Sequence, residues 1–185
     1  MRIVVSGTHA SGKSTLVSDV AEALGCEQLP DPFELVDDLV EPSGADSFVA
    51  QLEVAAERLV DRPPGTDVVV ERCPLDLLAY LEALAALGRP SVGRDGTAAL
   101  RATTRVAMAH VDLLVVLLLA PRDGIAVPDD EDPELRAAMD QRLADLVDDD
   151  ELVGPGTRVL EVAGSPESRL TQVLAARAAV MHRAP

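Results

Sequence analysis

The chain of 185 residues contains one lysine, Lys13, and it lies in Gly7-Thr8-His9-Ala10-Ser11-Gly12-Lys13-Ser14-Thr15. Every other basic side chain except histidine is arginine. The segment matches the spacing G-x-x-x-x-G-K-[ST] at each constrained position. Its flanks narrow the fold further. Met1-Arg-Ile-Val-Val-Ser6 reads as a buried strand, and Ser14 to Leu24 reads as a helix with Leu16, Val17, Val20, Ala23 and Leu24 on one side. Gly7 and Gly12 allow torsions and close approaches that a Cβ would block. The amides from Thr8 to Ser14 then turn inward as an anion nest at the positive end of the helix. Such a nest suits a polyphosphate. Lys13 is placed to bridge β- and γ-phosphate oxygens and the Ser14 hydroxyl to ligate Mg2+. Thr15 either approaches the α-phosphate or caps the helix. His9 and Ala10 complete the loop, with His9 expected to face solvent.

Helix and strand signals alternate through the rest of the chain with short connections and no repeats, the pattern of a three-layer α/β sheet. Strands are expected at Cys26–Pro30, Thr66–Val70, Asp112–Leu119 and, at an edge, Arg158–Val162. Helical signals cover Phe33–Val40, Ser47–Val60, Pro74–Leu87, Thr97–His110, Pro133–Val147 and Pro166–Met181, with a loop at Gly93–Gly96. Thr66–Val70 is a β-branched run, which marks a strand buried on both faces, and it delivers Glu71-Arg72 at its carboxyl end. Five parallel strands with the glycine loop after the first make a P-loop fold in one domain, with a lid over residues 121–133. Its ligands are expected at the carboxyl ends of the strands.

Composition limits the partners. The formal net charge of −16 opposes binding to nucleic acid or anionic membranes, since phosphate backbones call for a basic face. Donors within one loop still outweigh a screened global field for a small nucleotide. Aromatic residues are 2% of the chain (Phe33, Phe48 and Tyr80), so the core must be Leu, Val and Ala. Cys26 and Cys73 have neither disulfide nor metal-site spacing and read as small hydrophobes. No run approaches the ~18 uncharged apolar residues of a membrane helix, and Met1 leads straight into a strand. The expected location is cytoplasmic.

With the glycine loop, Asp31-Pro-Phe-Glu34, Val70-Glu-Arg-Cys-Pro-Leu-Asp76 and Leu78-Ala-Tyr80, the chain resembles small P-loop kinases over residues 1–170. The resemblance is to the AAA-like group that includes ribosylnicotinamide kinase, with deoxynucleoside kinases as cousins. It implies ATP and Mg2+ as cofactors and a small nucleoside-like hydroxyl acceptor as partner. Carried over, Glu71 is the base that takes the acceptor's proton and Arg72 the clamp on the transferring phosphate. Glu71 could instead hold Mg2+ through water, or the two could form an ion pair capping the strand. Asp31 and Glu34 fall where these kinases meet the acceptor. The family often has an arginine close by there, and this segment has none; Asp31 also suits a turn ahead of Pro32. The resemblance implies a lid arginine on the phosphates, with Arg122 the first candidate ahead of Arg136 and Arg142. The latter pair lie six apart, so at most one points inward.

Two other readings fit less well. A nucleoside monophosphate kinase needs several arginines around the acceptor phosphate, and between Asp31 and Val60 only Arg58 is available. A nucleotide-dependent switch has less use for Glu71-Arg72, and the guanine-reading Asn-Lys-x-Asp is absent from a chain without asparagine. The Thr97–His110 helix is the candidate interface for a homodimer.

Overall fold

The computed structural model describes residues 1–36, 44–119 and 132–181. Arg122 and all but the last two residues of the expected lid lie outside them. The strands are β1 (Arg2–Ser6), β2 (Glu27–Leu29), β3 (Val68–Glu71), β4 (Leu113–Val116) and β5 (Arg158–Glu161). The helices are α1 (Lys13–Leu24), α2 (Ala45–Val60), α3 (Pro74–Ala86), α4 (Arg94–Met108), α5 (Pro133–Val147) and α6 (Pro166–Met181), with a 3-10 helix at Pro32–Leu35. The five strands form one sheet in the order β2-β3-β1-β4-β5. Every pairing is parallel.

Strand pleating sorts the core into two layers. Ile3 and Val5 of β1 face Leu16, Val17 and Val20 of α1 and Val173 and Ala176 of α6. Val4 faces the other way, into a larger core built from α2, α3, α4 and α5 around Phe48, Leu78 and Met139. α3 is apolar nearly all round, with Pro74 through Leu81 buried, because α2, α4 and α5 all pack against it. The expected three layers are therefore present, and Arg158–Glu161 is the edge strand anticipated for that segment.

Several boundaries moved by a few residues, two of them with a visible local cause. α4 begins at Arg94 rather than Thr97, because the Thr97 amide donates to the Gly93 carbonyl at 2.9 Å and closes a first turn over the expected loop. The strand expected to run to Leu119 ends its ladder at Val116, one bond after which Leu117 N still donates to Ser6 O at 2.9 Å.

Parallel pairing puts all strand carboxyl ends along one rim. β1 lies between β3 and β4, in register Val5 to Glu71 and Ser6 to Val116. The chain first places β2 and β3 on one side of β1 and then crosses to place β4 and β5 on the other, so the crevice at the end of β1 is the natural ligand site of such a fold.

Candidate functional site

The glycine loop occupies that crevice. Gly7 has φ 155°, and a Cβ there would lie 2.6 Å from the Leu117 carbonyl oxygen and 2.7 Å from Ser11 Oγ, so no other residue fits without displacement. Gly12, at φ 89°, is the left-handed cap from which α1 starts. Lys13 is buried and its Nζ donates to the Thr8 carbonyl at 2.8 Å, closing the loop on itself. Burial, and then the nearby Arg72 charge, lower the Lys13 pKa from 10.5 to about 8.

The rim next to the loop carries the acid chemistry. Ser14 Oγ donates to Glu71 Oε1 at 2.7 Å. Burial raises the Glu71 pKa, against the opposing Ser14 hydrogen bond and Lys13 charge. One residue on, the backbone turns left-handed: Arg72 has φ 63°, uncommon for a residue with a side chain. That turn sends the guanidinium, 2% exposed, away from Glu71 and to Asp31, with Nε 3.0 Å from Oδ2. It also lies over the Tyr80 ring, 5.5 Å from its centroid. Burial opposes the Arg72 charge, but Asp31, Tyr80 and nearby carboxylates more than offset it and raise its pKa. Glu71 and Arg72 thus take separate partners and do not form the ion pair considered for them.

Asp31 takes the turn role anticipated for it and adds an ion pair that was not. Its Oδ1 accepts from Phe33 N at 3.0 Å, capping the 3-10 helix, while Oδ2 faces Arg72. Glu34 is exposed on the same turn, as is the Phe33 ring, at 50%. Thr15 is exposed on the first turn of α1.

His9 differs from expectation. It is half-buried, its Nδ1 paired with the Tyr80 hydroxyl, and burial together with Arg72 and Lys13 lowers its pKa from 6.5 to about 3. The reason is tertiary: Tyr80 rises from α3 beneath the loop, stacked on Phe48 at 4.6 Å, and its hydroxyl also meets Thr8 Oγ1 and His9 N, each at 3.1 Å.

Three further residues hold the loop, two of which, Asp76 and Arg169, had no assigned role. Asp76, fully buried, accepts from Gly7 N at 2.8 Å, Ser6 Oγ at 2.8 Å and Cys73 N at 2.9 Å. Asp76 and Tyr80 lie one helical turn apart in a helix whose one other polar side chain is Glu82, a pattern legible in the sequence. Arg169 of α6 donates to Ser11 O at 2.9 Å. Arg136 of α5 donates to His9 O at 2.9 Å and Ala10 O at 3.2 Å. Of the two helical lid candidates, then, Arg136 reaches the loop, at its carbonyls, while Arg142 is exposed and pairs with Asp145 at 3.3 Å.

Fold and loop together define a three-layer P-loop nucleoside triphosphatase architecture. The chain belongs to the AAA domain family, whose sequence profile matches residues 2–169. No curated protein sequence matches it. Among solved structures, it is similar to deoxyadenosine kinase from M. mycoides (TM-score 0.72, 12% identity, 97% of this chain and 100% of that one). It is similar also to thymidylate kinase from Candida albicans (TM-score 0.66, 16% identity, 96% and 91%). A third likeness is to NadR protein in complex with NR (TM-score 0.64, 18% identity), where 99% of this chain matches 52% of that one. At these identities the likeness is one of fold, and it agrees with the family resemblance read from the motifs.

Proposed function

We propose that the protein is an ATP-dependent phosphotransferase acting on the hydroxyl of a small, nucleoside-like acceptor. The observation that carries this reading is the 2.7 Å contact between the Ser14 hydroxyl and Glu71, a buried carboxylate at the mouth of a phosphate-binding loop. Phosphoryl transfer needs mainly positioning and charge stabilisation, with one group to orient or deprotonate the nucleophile. Lys13 and the loop amides hold the triphosphate, and Glu71, its pKa raised by burial, takes the acceptor proton as the new P–O bond forms and the bond from the γ-phosphorus to the β–γ bridging oxygen breaks to release ADP. Arg72 steadies Asp31 and contributes positive charge beside the transferring group. Asp31, with the exposed Phe33 next to it, offers a hydrogen-bond acceptor and a ring face to a nucleoside-like ligand.

The Ser14 hydroxyl supplies a hard oxygen donor that suits Mg2+, a cation that takes its remaining ligands from phosphates and water. Bound there, Mg2+ would neutralise phosphate charge.

A monophosphate acceptor is the second reading, because Arg58 reaches the same segment, with Nη1 2.8 Å from the Pro30 carbonyl. The deciding experiment incubates the protein and Mg·ATP with nucleosides, nucleoside monophosphates, sugars and cofactor precursors, following acceptor-dependent ADP release. One nucleoside-like compound should stimulate release, and Glu71→Gln should cut that rate by on the order of 10²-fold with ATP still bound. An equal rate with every compound would point to an acceptor-free switch.

A further inference from the structure

We propose that Arg136 and Arg169 are positioning residues of the phosphate-binding loop: they hold three consecutive carbonyls outward from behind and strengthen the amides that meet the nucleotide. The inference rests on the nucleotide reading above and adds to it how the loop is set. Arg136 Nε and Nη2 donate to the carbonyls of His9 and Ala10, and Arg169 Nη1 to that of Ser11. Each of those carbonyls shares a peptide unit with the N–H of the next residue, so the amides concerned are those of Ala10, Ser11 and Gly12. In a planar trans peptide, C=O and N–H point in opposite directions. A carbonyl fixed outward therefore fixes its N–H inward.

The same bonds have an electronic effect. A cationic donor on a carbonyl polarises the whole peptide unit and makes its N–H a stronger donor. Three adjacent units receive this treatment, at the stretch where Ala10 holds φ 50°, a conformation costly for a residue with a Cβ. The two guanidiniums come from opposite faces of the sheet. α5 contributes Leu135 and Met139 to the larger core, and α6 contributes Val173 and Ala176 to the smaller one. The loop is thus gripped from both packing layers, without either arginine having to touch a phosphate. Arg169 is 5% exposed, which places it beneath the loop.

The test uses Arg136→Met and Arg169→Met, with Arg169→Lys as a variant that keeps charge and a donor. Binding of Mg·ATP and of inorganic tripolyphosphate is measured by calorimetry, and the loop amides are followed by 1H–15N NMR in the unligated protein. Each Met variant should weaken both ligands by the same factor, on the order of tenfold. Arg169→Lys should recover most of that loss. In the unligated state the amide protons of Ala10 and Ser11 should move upfield in Arg136→Met, and that of Gly12 in Arg169→Met. Unchanged tripolyphosphate affinity, a loss confined to ATP, or unmoved amide shifts in folded variants would each overturn the proposal. Wild-type protein that binds neither ligand would instead remove the nucleotide reading, while the amide shifts would still report on the polarisation.

Discussion

Lys13 is the only ammonium side chain in the molecule, and the loop keeps it buried against the Thr8 carbonyl with its pKa lowered to about 8. Phosphates arriving at the loop would supply the counter-charge that burial denies it, raising that pKa in the complex. Binding above pH 8 is then coupled to proton uptake. Nucleotide affinity should be level in the neutral range and fall by up to about tenfold per pH unit above the free-state value. Calorimetry in buffers of different ionisation enthalpy measures the proton taken up, and pH-independent binding up to pH 10 would refute this. Lys13→Ala should abolish nucleotide binding with the fold intact, as a circular dichroism melt would show. The stability linkage has the opposite sense. The unfolded lysine binds a proton up to 10.5, so Lys13's contribution to stability rises with pH between about 8 and 10.5 and is lost as pH falls through the lower value.

At the scale of elements, α3 carries more of the site than its apolar composition suggests. Its first turn is tied to the end of β1 by Asp76, through Ser6 Oγ and Gly7 N, and its next turn supports the loop through Tyr80. Asp76→Ala would strand three buried donors, and the expected cost is about 3 kcal/mol, read from chemical denaturation with an unchanged m-value. A loss within error of zero would mean that water replaces the carboxylate. Arg89 pairs with Asp132, which caps α5 through Leu135 N at 3.0 Å and Glu134 N at 3.1 Å. That cap sets the start of the helix from which Arg136 reaches the loop. The first turn of α4, closed by one backbone bond from Thr97 to Gly93, is a boundary that periodicity could not place.

For the whole molecule, the governing term is a net charge of −16 on a well-packed three-layer core. Most of the ion pairs among the described residues, such as Arg62–Glu27 and Arg177–Asp67, are exposed on at least one side and contribute little. Self-repulsion among carboxylates therefore outweighs them. Raising NaCl from about 20 mM to about 500 mM should increase the melting temperature by several degrees. A fall would show that surface ion pairs dominate. No helix among the described residues is long and apolar enough to cross a membrane.

The glycine loop, the order of strands and helices, and the delivery of Glu71 and Arg72 to a strand end were legible from residue order alone. Each follows from a local rule: torsions open to glycine, the period of apolar side chains, and the direction of a parallel strand. The partners of those side chains were decided only by the folded chain. Ser14 meets Glu71 across 57 positions, Gly7 meets Asp76 across 69, and Ser11 meets Arg169 across 158. Such pairings depend on which helices pack on which face of the sheet and on the left-handed turn at Arg72, and no local period records either.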